Sequence, residues 1–212
     1  RCRHWSAPPA MAGSVLGDAG KYSYLRQYTL HYVEALTSGG KYPLMIWPHH
    51  AMLGDIHHAL MPTLQEAVFF HSVARASQSD YRVKGGNPLT ENYSVLAPEV
   101  LDDQHKRAIA QRSSKFLETL LNYDALIIAG QAKSHCVAWT IADLLGGIQA
   151  QDPALARKVY LVEDLTSPVV IPGIIDFSDM ADEAFQRFAD AGMHIVRSSD
   201  PIESWPGMEL KA

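Results

Sequence analysis

A cysteine at the junction of a buried strand and a helix is the feature of this sequence with the clearest chemistry. Residues 125–130 are apolar and of strand length, residues 131–135 form a short loop, and Cys136 opens a helix that is predicted to end at Gly146 and Gly147. Free backbone N–H groups and the positive end of the helix dipole stabilise negative charge on sulfur at such a position. The same N–H groups can bind an oxyanion. Cys136 is therefore the candidate nucleophile.

Lys84 is the candidate partner for that sulfur. A thiol nucleophile needs a group that takes its proton or holds its charge. Lys84 ends a predicted strand over residues 80–84 and is followed by two glycines. The alternatives are a solvated lysine and a cysteine that only packs. Ligands bind outside the carboxyl ends of strands in open parallel sheets, so we expect the loops at 47–50, 84–87 and 130–136 to meet in one cleft.

The elements that position these residues alternate between helix and strand. Such alternation, with several strands apolar throughout, predicts an α/β domain whose mostly parallel sheet is covered on both faces. One domain over residues 1–212 is expected, with residues 1–20 irregular. Pro62 either kinks the second helix or marks its first turn. The predicted helices are 21–37, 55–76, 110–122, 136–145 and 178–191, and the predicted strands are 43–47, 80–84, 125–130, 158–162 and 194–196.

Composition indicates an ordinary soluble protein. The 212 residues are 47% hydrophobic and carry a net charge of −5, which argues against nucleic acid or an anionic membrane as partner. The sequence shows neither an apolar run of membrane-spanning length nor the layout of a signal peptide. Its two cysteines, Cys2 and Cys136, fit reduced thiols in the cytoplasm better than a disulfide.

Three ordered motifs resemble one enzyme family. Residues 130–143, with Gly130, Cys136-Val137, Thr140 and Asp143, resemble the G-x-x-x-x-x-C-V-x-x-T-x-x-D signature of the isochorismatase-like cysteine hydrolases, which include nicotinamidases. Lys84-Gly85 followed by residues 91–94 is similar to the family's K-G…D-x-Y-S segment, with Glu91 in place of Asp. Residues 47–50 resemble the W-P-x-H segment of nicotinamidases. The similarity extends from about residue 43 to 196.

This resemblance implies a fold, a reaction and roles for several residues. The fold would be a Rossmann-like three-layer α/β/α arrangement, and the reaction would be hydrolysis of a C–N bond in a small amide through a thioester. Cys136 would be the nucleophile, and Lys84 would stabilise its thiolate. Backbone N–H groups of Ala132 and Cys136 would form the oxyanion hole. A cis peptide bond is expected between Gln131 and Ala132.

The resemblance also suggests residues for substrate and metal. Trp47, Tyr93 and His135 are the candidate substrate-binding residues, although the aromatic side chains can equally belong to the core. His50 matches the histidine ligand of the nicotinamidase metal site. The thiol chemistry itself requires no cofactor, and a zinc ion is expected only if further ligands exist upstream. Family members commonly associate, so we expect a homo-oligomer.

Two parts of the family pattern are not found where they should be. The general-base aspartate belongs to a D-x-Q motif ending the first strand, yet the chain's only Asp-x-Gln is residues 102–104, after Lys84. A D-x-H pair, Asp55 to His57, follows the W-P-x-H segment instead of preceding it. His57 and His58 would point about 100° apart on a helix, which favours structural roles. We therefore interpret the chain as the C-terminal part of a longer hydrolase, without the family's first strand.

Two other functions remain open at this level. An isochorismatase-type enzyme would cleave a vinyl ether without a nucleophilic cysteine. A chain without its general base could instead be a catalytically inactive scaffold or subunit.

Overall fold

The computed structural model describes residues 3–4, 19–48 and 50–209, so Cys2 and His49 lie outside the described residues. The chain divides into two compact units. The first comprises Arg1–Val83 with Asp103–Lys106, and the second comprises Lys84–Asp102 with Arg107–Ala212. Cys136 and Lys84 therefore belong to the same unit. The single domain expected over residues 1–212 stays a prediction.

The first unit contains two helices and a small antiparallel strand pair. Helix α1 spans Ala19–Ser38. Its sequence predicts an apolar stripe at Leu25, Tyr28, Tyr32, Ala35 and Leu36, and the burial of Tyr28, Tyr32 and Leu36 confirms an inward face. Strand β1 (Arg3–His4) pairs with strand β2 (Met45–Ile46). The strand predicted over 43–47 is thus shorter than expected, antiparallel and exposed at Ile46, so its assignment to the buried parallel sheet was wrong.

Helix α2 spans Pro62–Arg75, which confirms that Pro62 marks a first turn. The residues before it form a short 3-10 turn at Ile56–His58, with the carboxylate of Asp55 accepting the N–H of His57. No side chain of α2 is buried, and Leu64 is 52% exposed. The apolar spacing of Leu60, Leu64, Ala67 and Val68 predicts an inward face for this helix. That prediction was wrong, because only Val68 is half-buried and the other three are exposed.

The second unit is built on a parallel sheet. Its helices are α3 (Ser114–Leu121), α4 (Ala138–Gln151) and α5 (Ser178–Asp190). Its strands are β3 (Leu126–Ile128), β4 (Val159–Val162), β5 (Val170–Ile171), β6 (Ile175–Asp176) and β7 (His194–Val196). Strands β3, β4 and β7 are parallel in that order, while β5 and β6 form an antiparallel hairpin. The α/β class and the parallel sheet are confirmed.

Strand β4 is buried on both faces. Val159 and Leu161 belong to the core cluster that also contains side chains of α3, α4 and α5. Tyr160 and Val162 belong to a second cluster with Trp205 near the described C-terminal end. Within this unit, the helices and the C-terminal segment therefore cover opposite faces of the strand.

Three further predicted details were wrong. Residues 80–84 form no strand, because an extended run needs a ladder partner. Helix α4 continues through Gly146 and Gly147, and a Cβ at Gly147 would lie 2.5 Å from Cδ2 of Leu117. That glycine allows a close approach of α3 instead of ending the helix. On α5, the apolar spacing predicts Met180, Ala184, Phe185 and Phe188 inward. The last three are buried, whereas Met180 is exposed and Ala181 faces the core.

No helix in the described part of the chain combines the length and apolar character that crossing a membrane requires.

Candidate active site

Cys136 lies in a π-helical turn rather than at the start of an α-helix that follows a loop. The turn spans Lys133–Val137 and runs directly into α4. The N–H groups of His135 and Val137 both donate to the carbonyl of Ala132, at 3.0 and 3.1 Å. The Gln131–Ala132 peptide bond is cis, as the resemblance implied. Single π-helical turns are rare and frequently occur at functional sites.

The chain that follows β4 holds this turn in place. The backbone N–H of Gly130 donates to the carbonyl of Leu165 at 3.0 Å, and that of Lys133 donates to the carbonyl of Ser167 at 2.8 Å. The hydroxyl of Ser167 also donates to Oε1 of Gln131 at 2.9 Å. The turn is therefore anchored where the strand end predicts a ligand site.

Lys84 contacts the sulfur of Cys136. Its Nζ lies 3.0 Å from Sγ, 2.8 Å from the carbonyl oxygen of Asn92 and 2.6 Å from that of Tyr93. An ammonium group has three donors, and these three acceptors match them in number. Because the two carbonyls only accept, the third N–H points to the half-buried sulfur. The arrangement places the ammonium group of Lys84 in direct contact with the sulfur of Cys136.

The acceptors of Lys84 are tied to the helix that follows Cys136. Thr140 lies one turn after the cysteine, and its hydroxyl accepts the N–H of Val95 at 3.2 Å. The N–H of Tyr93 donates to the buried carboxylate of Glu99 at 3.2 Å. These bonds fix the loop that presents the two carbonyls.

His135 belongs to the turn, and its side chain is buried. Only 5% of it is exposed, and its ring makes edge contacts with the rings of Tyr93 and Phe177, with centroids 5.3 and 4.6 Å away. Its Nδ1 lies 2.8 Å from Oγ of Ser134, which also accepts the N–H of Val169. Burial lowers the pKa of His135 to about 4, so the ring is neutral near pH 7. Contact of His135 and Tyr93 with substrate stays a prediction.

Trp47 and His50 belong to the first unit. Trp47 is half-buried, while His50 is exposed, with its Nδ1 2.6 Å from the carbonyl oxygen of Pro48. Within residues 3–4, 19–48 and 50–209, no group of three or more His, Cys, Asp or Glu residues could hold a metal ion. The roles of Trp47 in substrate binding and of His50 in metal binding stay predictions.

The misplaced motif residues have local partners. His57 pairs with Asp55 through Nδ1 and Oδ1 at 2.9 Å, inside the 3-10 turn. In the 102–104 segment, Asp103 is buried, and its carboxylate accepts the hydroxyl of Tyr24 and the N–H of His105. These contacts account for both segments structurally.

Sequence reasoning missed two charged residues around the cysteine. Lys133 is buried three residues before it, and Glu99 is buried in the loop that holds Lys84. The position of Lys133 inside the quoted signature was the only signal for it. Glu99 had no such signal, because its partner is the backbone N–H of Tyr93, and residue types do not record bonds to the backbone.

Fold and site together define an α/β protein with a cysteine–lysine pair at the end of a parallel strand. Among solved structures, the chain is similar to a nicotinamidase/pyrazinamidase of Acinetobacter baumannii, with 17% identity and a TM-score of 0.40 over 73% of this chain and 60% of that one. It is also similar to the yeast nicotinamidase bound to nicotinaldehyde, with 18% identity and a TM-score of 0.44 over 74% of this chain and 62% of that one. The chain thus spans about three fifths of the length of these proteins. No protein-family model and no curated protein sequence matches it.

Proposed function

We propose that this protein is a cysteine-dependent hydrolase that cleaves a C–N bond of a small amide. The observation that carries the proposal is the 3.0 Å contact between Nζ of Lys84 and Sγ of Cys136. A half-buried sulfur in contact with an ammonium group is suited to nucleophilic attack. The motif around Cys136 supports the assignment to isochorismatase-like, nicotinamidase-related chemistry.

The reaction proceeds in two steps. The thiolate of Cys136 attacks the amide carbonyl carbon, and the backbone N–H groups of Ala132 and Cys136 stabilise the oxyanion. Lys84, in contact with the sulfur, gives a proton to the departing amine as the C–N bond breaks, which leaves a thioester. Lys84 then takes a proton from the water that attacks the thioester. Lys84 is thereby an ammonium group again, and the products are the amine, the free thiolate and a carboxylic acid that gives its proton to solvent or to the amine.

Substrate, cofactor and assembly belong to the same proposal. Tyr93, His135 and Trp47 contribute to binding of a small-molecule substrate. Neither nucleic acid nor a membrane is a binding partner. The thiol chemistry needs no cofactor. His50 would join a zinc site only with ligands from elsewhere in the protein. The enzyme is a cytoplasmic homo-oligomer.

Ammonia release from a panel of aromatic and aliphatic amides, nicotinamide included, tests the proposal. We expect release by the wild-type chain, loss of at least about a thousandfold in Cys136→Ala, and a strong decrease in Lys84→Met. Lys158→Met is the matched control, because Lys158 donates to the carbonyl of Tyr123 and precedes β4 at the end away from the turn.

Two results contradict the proposal in different ways. Full turnover of a vinyl-ether substrate by Cys136→Ala would indicate isochorismatase-type chemistry. A folded wild-type chain that releases no ammonia from any amide would indicate a scaffold or subunit.

A further inference from the structure

Lys133 is a buried lysine at the start of the turn that carries Cys136. Its side chain is 7% exposed, and Nζ lies 2.6 Å from Oδ1 of Asp182 on α5. The same ammonium lies 3.8 Å from Oε1 of Glu163, which follows β4, and 4.5 Å from the ring centroid of Phe185. One charged group therefore connects the turn to α5 and to the chain after β4.

The backbone of Lys133 is fixed as well. Its N–H donates to the carbonyl of Ser167 at 2.8 Å, and the turn is closed by the bond from Val137 to Ala132. Cys136 is three residues away within this turn. A displacement of Lys133 would thus change the position of the sulfur, because the turn has little freedom of its own.

Electrostatics explain why the ion pair between Lys133 and Asp182 holds the ammonium group of Lys133 in one position. An ammonium removed from water costs several kcal/mol unless a partner compensates it. Asp182 is that partner, and its side chain is 70% exposed, so the carboxylate itself loses little hydration. Glu163 also approaches Arg197 at 3.4 Å, which extends the pair to four alternating charges. The lysine is therefore held at one place by directional contacts.

We infer that Lys133 is a positioning residue for the nucleophile. Its ion pair with Asp182 holds the π-helical turn so that Sγ of Cys136 keeps its contact with Lys84. The inference rests on the proposed function, in which that contact activates the sulfur. Lys133 does not act on substrate, since its ammonium group contacts carboxylates and the Phe185 ring.

The test is the rate at which iodoacetamide alkylates Cys136, measured by peptide mass spectrometry from about pH 6 to about pH 9 below the unfolding temperature of every variant. This readout requires no turnover. We expect at least about a tenfold slower reaction in Lys133→Met and Asp182→Asn. Lys133→Arg keeps the charge and should retain the rate within about threefold. Lys158→Met makes the same substitution at a lysine that precedes β4, and it should leave the alkylation rate unaltered.

Unaltered alkylation rates in Lys133→Met and Asp182→Asn, with only the unfolding temperature lowered, would overturn the inference and assign Lys133 a purely structural role. If Lys133→Met does not fold, Asp182→Asn at the exposed end of the pair decides alone. A wild-type Cys136 that reacts no faster than Cys2 would overturn the activated thiolate and this inference together. If Cys136 reacts fast in the wild type and equally fast in Lys133→Met and Asp182→Asn, only the positioning role of Lys133 is overturned.

Discussion

The hydroxyl of Thr140 accepts the backbone N–H of Val95 at 3.2 Å, which joins the helix after Cys136 to the loop that holds Lys84. The carbonyls of Asn92 and Tyr93 in that loop accept two of the three N–H groups of the lysine. The third N–H points to Sγ of Cys136. The nucleophile and its cationic partner are thus positioned by one closed path of bonds.

Removal of the Thr140 hydroxyl should weaken this path. Thr140→Val preserves the shape and leaves the N–H of Val95 without its acceptor, so we expect a loss of about 1–2 kcal/mol in the free energy of unfolding. Amide hydrolysis should decrease by about tenfold, since the carbonyls that hold the lysine shift. Urea unfolding and steady-state ammonia release measure the two effects. Thr140→Ser retains the hydroxyl and is the control; an equal loss of activity in that variant would contradict the role of the hydrogen bond.

His135 should make the fold sensitive to mild acid. Its pKa is about 4 in the folded protein, below the usual 6.5, because burial disfavours the charged ring. The unfolded chain therefore binds the proton more tightly. The contribution of neutral His135 to the free energy of unfolding is fully present above about pH 6.5 and is lost as the pH falls toward 4. The slope reaches at most about 1.4 kcal/mol per pH unit.

Urea unfolding across this pH range measures the slope, with His135→Phe as comparison. The variant keeps an aromatic ring between Tyr93 and Phe177 but cannot titrate. Carboxylates with lowered pKa, such as Asp164, also lose their stabilising contribution in acid, but chiefly as the pH falls below about 5, so the comparison with His135→Phe isolates the histidine. Identical slopes in both proteins would show that His135 does not control the acid sensitivity.

Two neighbouring glycines of α4 should respond oppositely to alanine. At Gly147, a Cβ would lie within 3.2 Å of three side-chain atoms of Leu117, so Gly147→Ala should destabilise the protein by about 1–2 kcal/mol. At Gly146, the space within 4 Å is open, and Gly146→Ala should stabilise the helix by about 0.5–1 kcal/mol. Thermal unfolding of both variants checks the pair. A stabilising Gly147→Ala would show that Leu117 relocates without cost.

The sequence predicted the elements whose pattern is local. Helices α1 and α5 and the strands containing Leu126, Tyr160 and Ile195 follow from apolar periodicity, which records burial on a helix face or in a sheet. The proximity of Lys84 and Cys136 was expected because both were assigned to strand ends. Their contact distance was not accessible, because it depends on the carbonyls of a loop without periodic pattern.

Other features depend on neighbours that one segment cannot specify. The π-helical turn at Lys133–Val137 depends on the N–H groups of His135 and Val137 donating to the same carbonyl, that of Ala132. Residue types do not predict such a backbone arrangement. The glycines at 146 and 147 indicated a helix end, although Gly147 serves the contact with Leu117. The apolar spacing of α2 predicted a helix correctly and a buried face wrongly, because the pattern does not say what covers it.

The pH dependence of Cys136 alkylation in the wild type and in Lys84→Met shows whether the contact with Lys84 activates the thiol. If Lys84 stabilises the thiolate, iodoacetamide modifies Cys136 at least about tenfold faster than Cys2 near neutral pH. Lys84→Met should then lose that advantage, while Lys158→Met keeps it. Equal, slow modification of both cysteines in all three proteins would contradict the account, because the contact between Nζ and Sγ would have no chemical consequence.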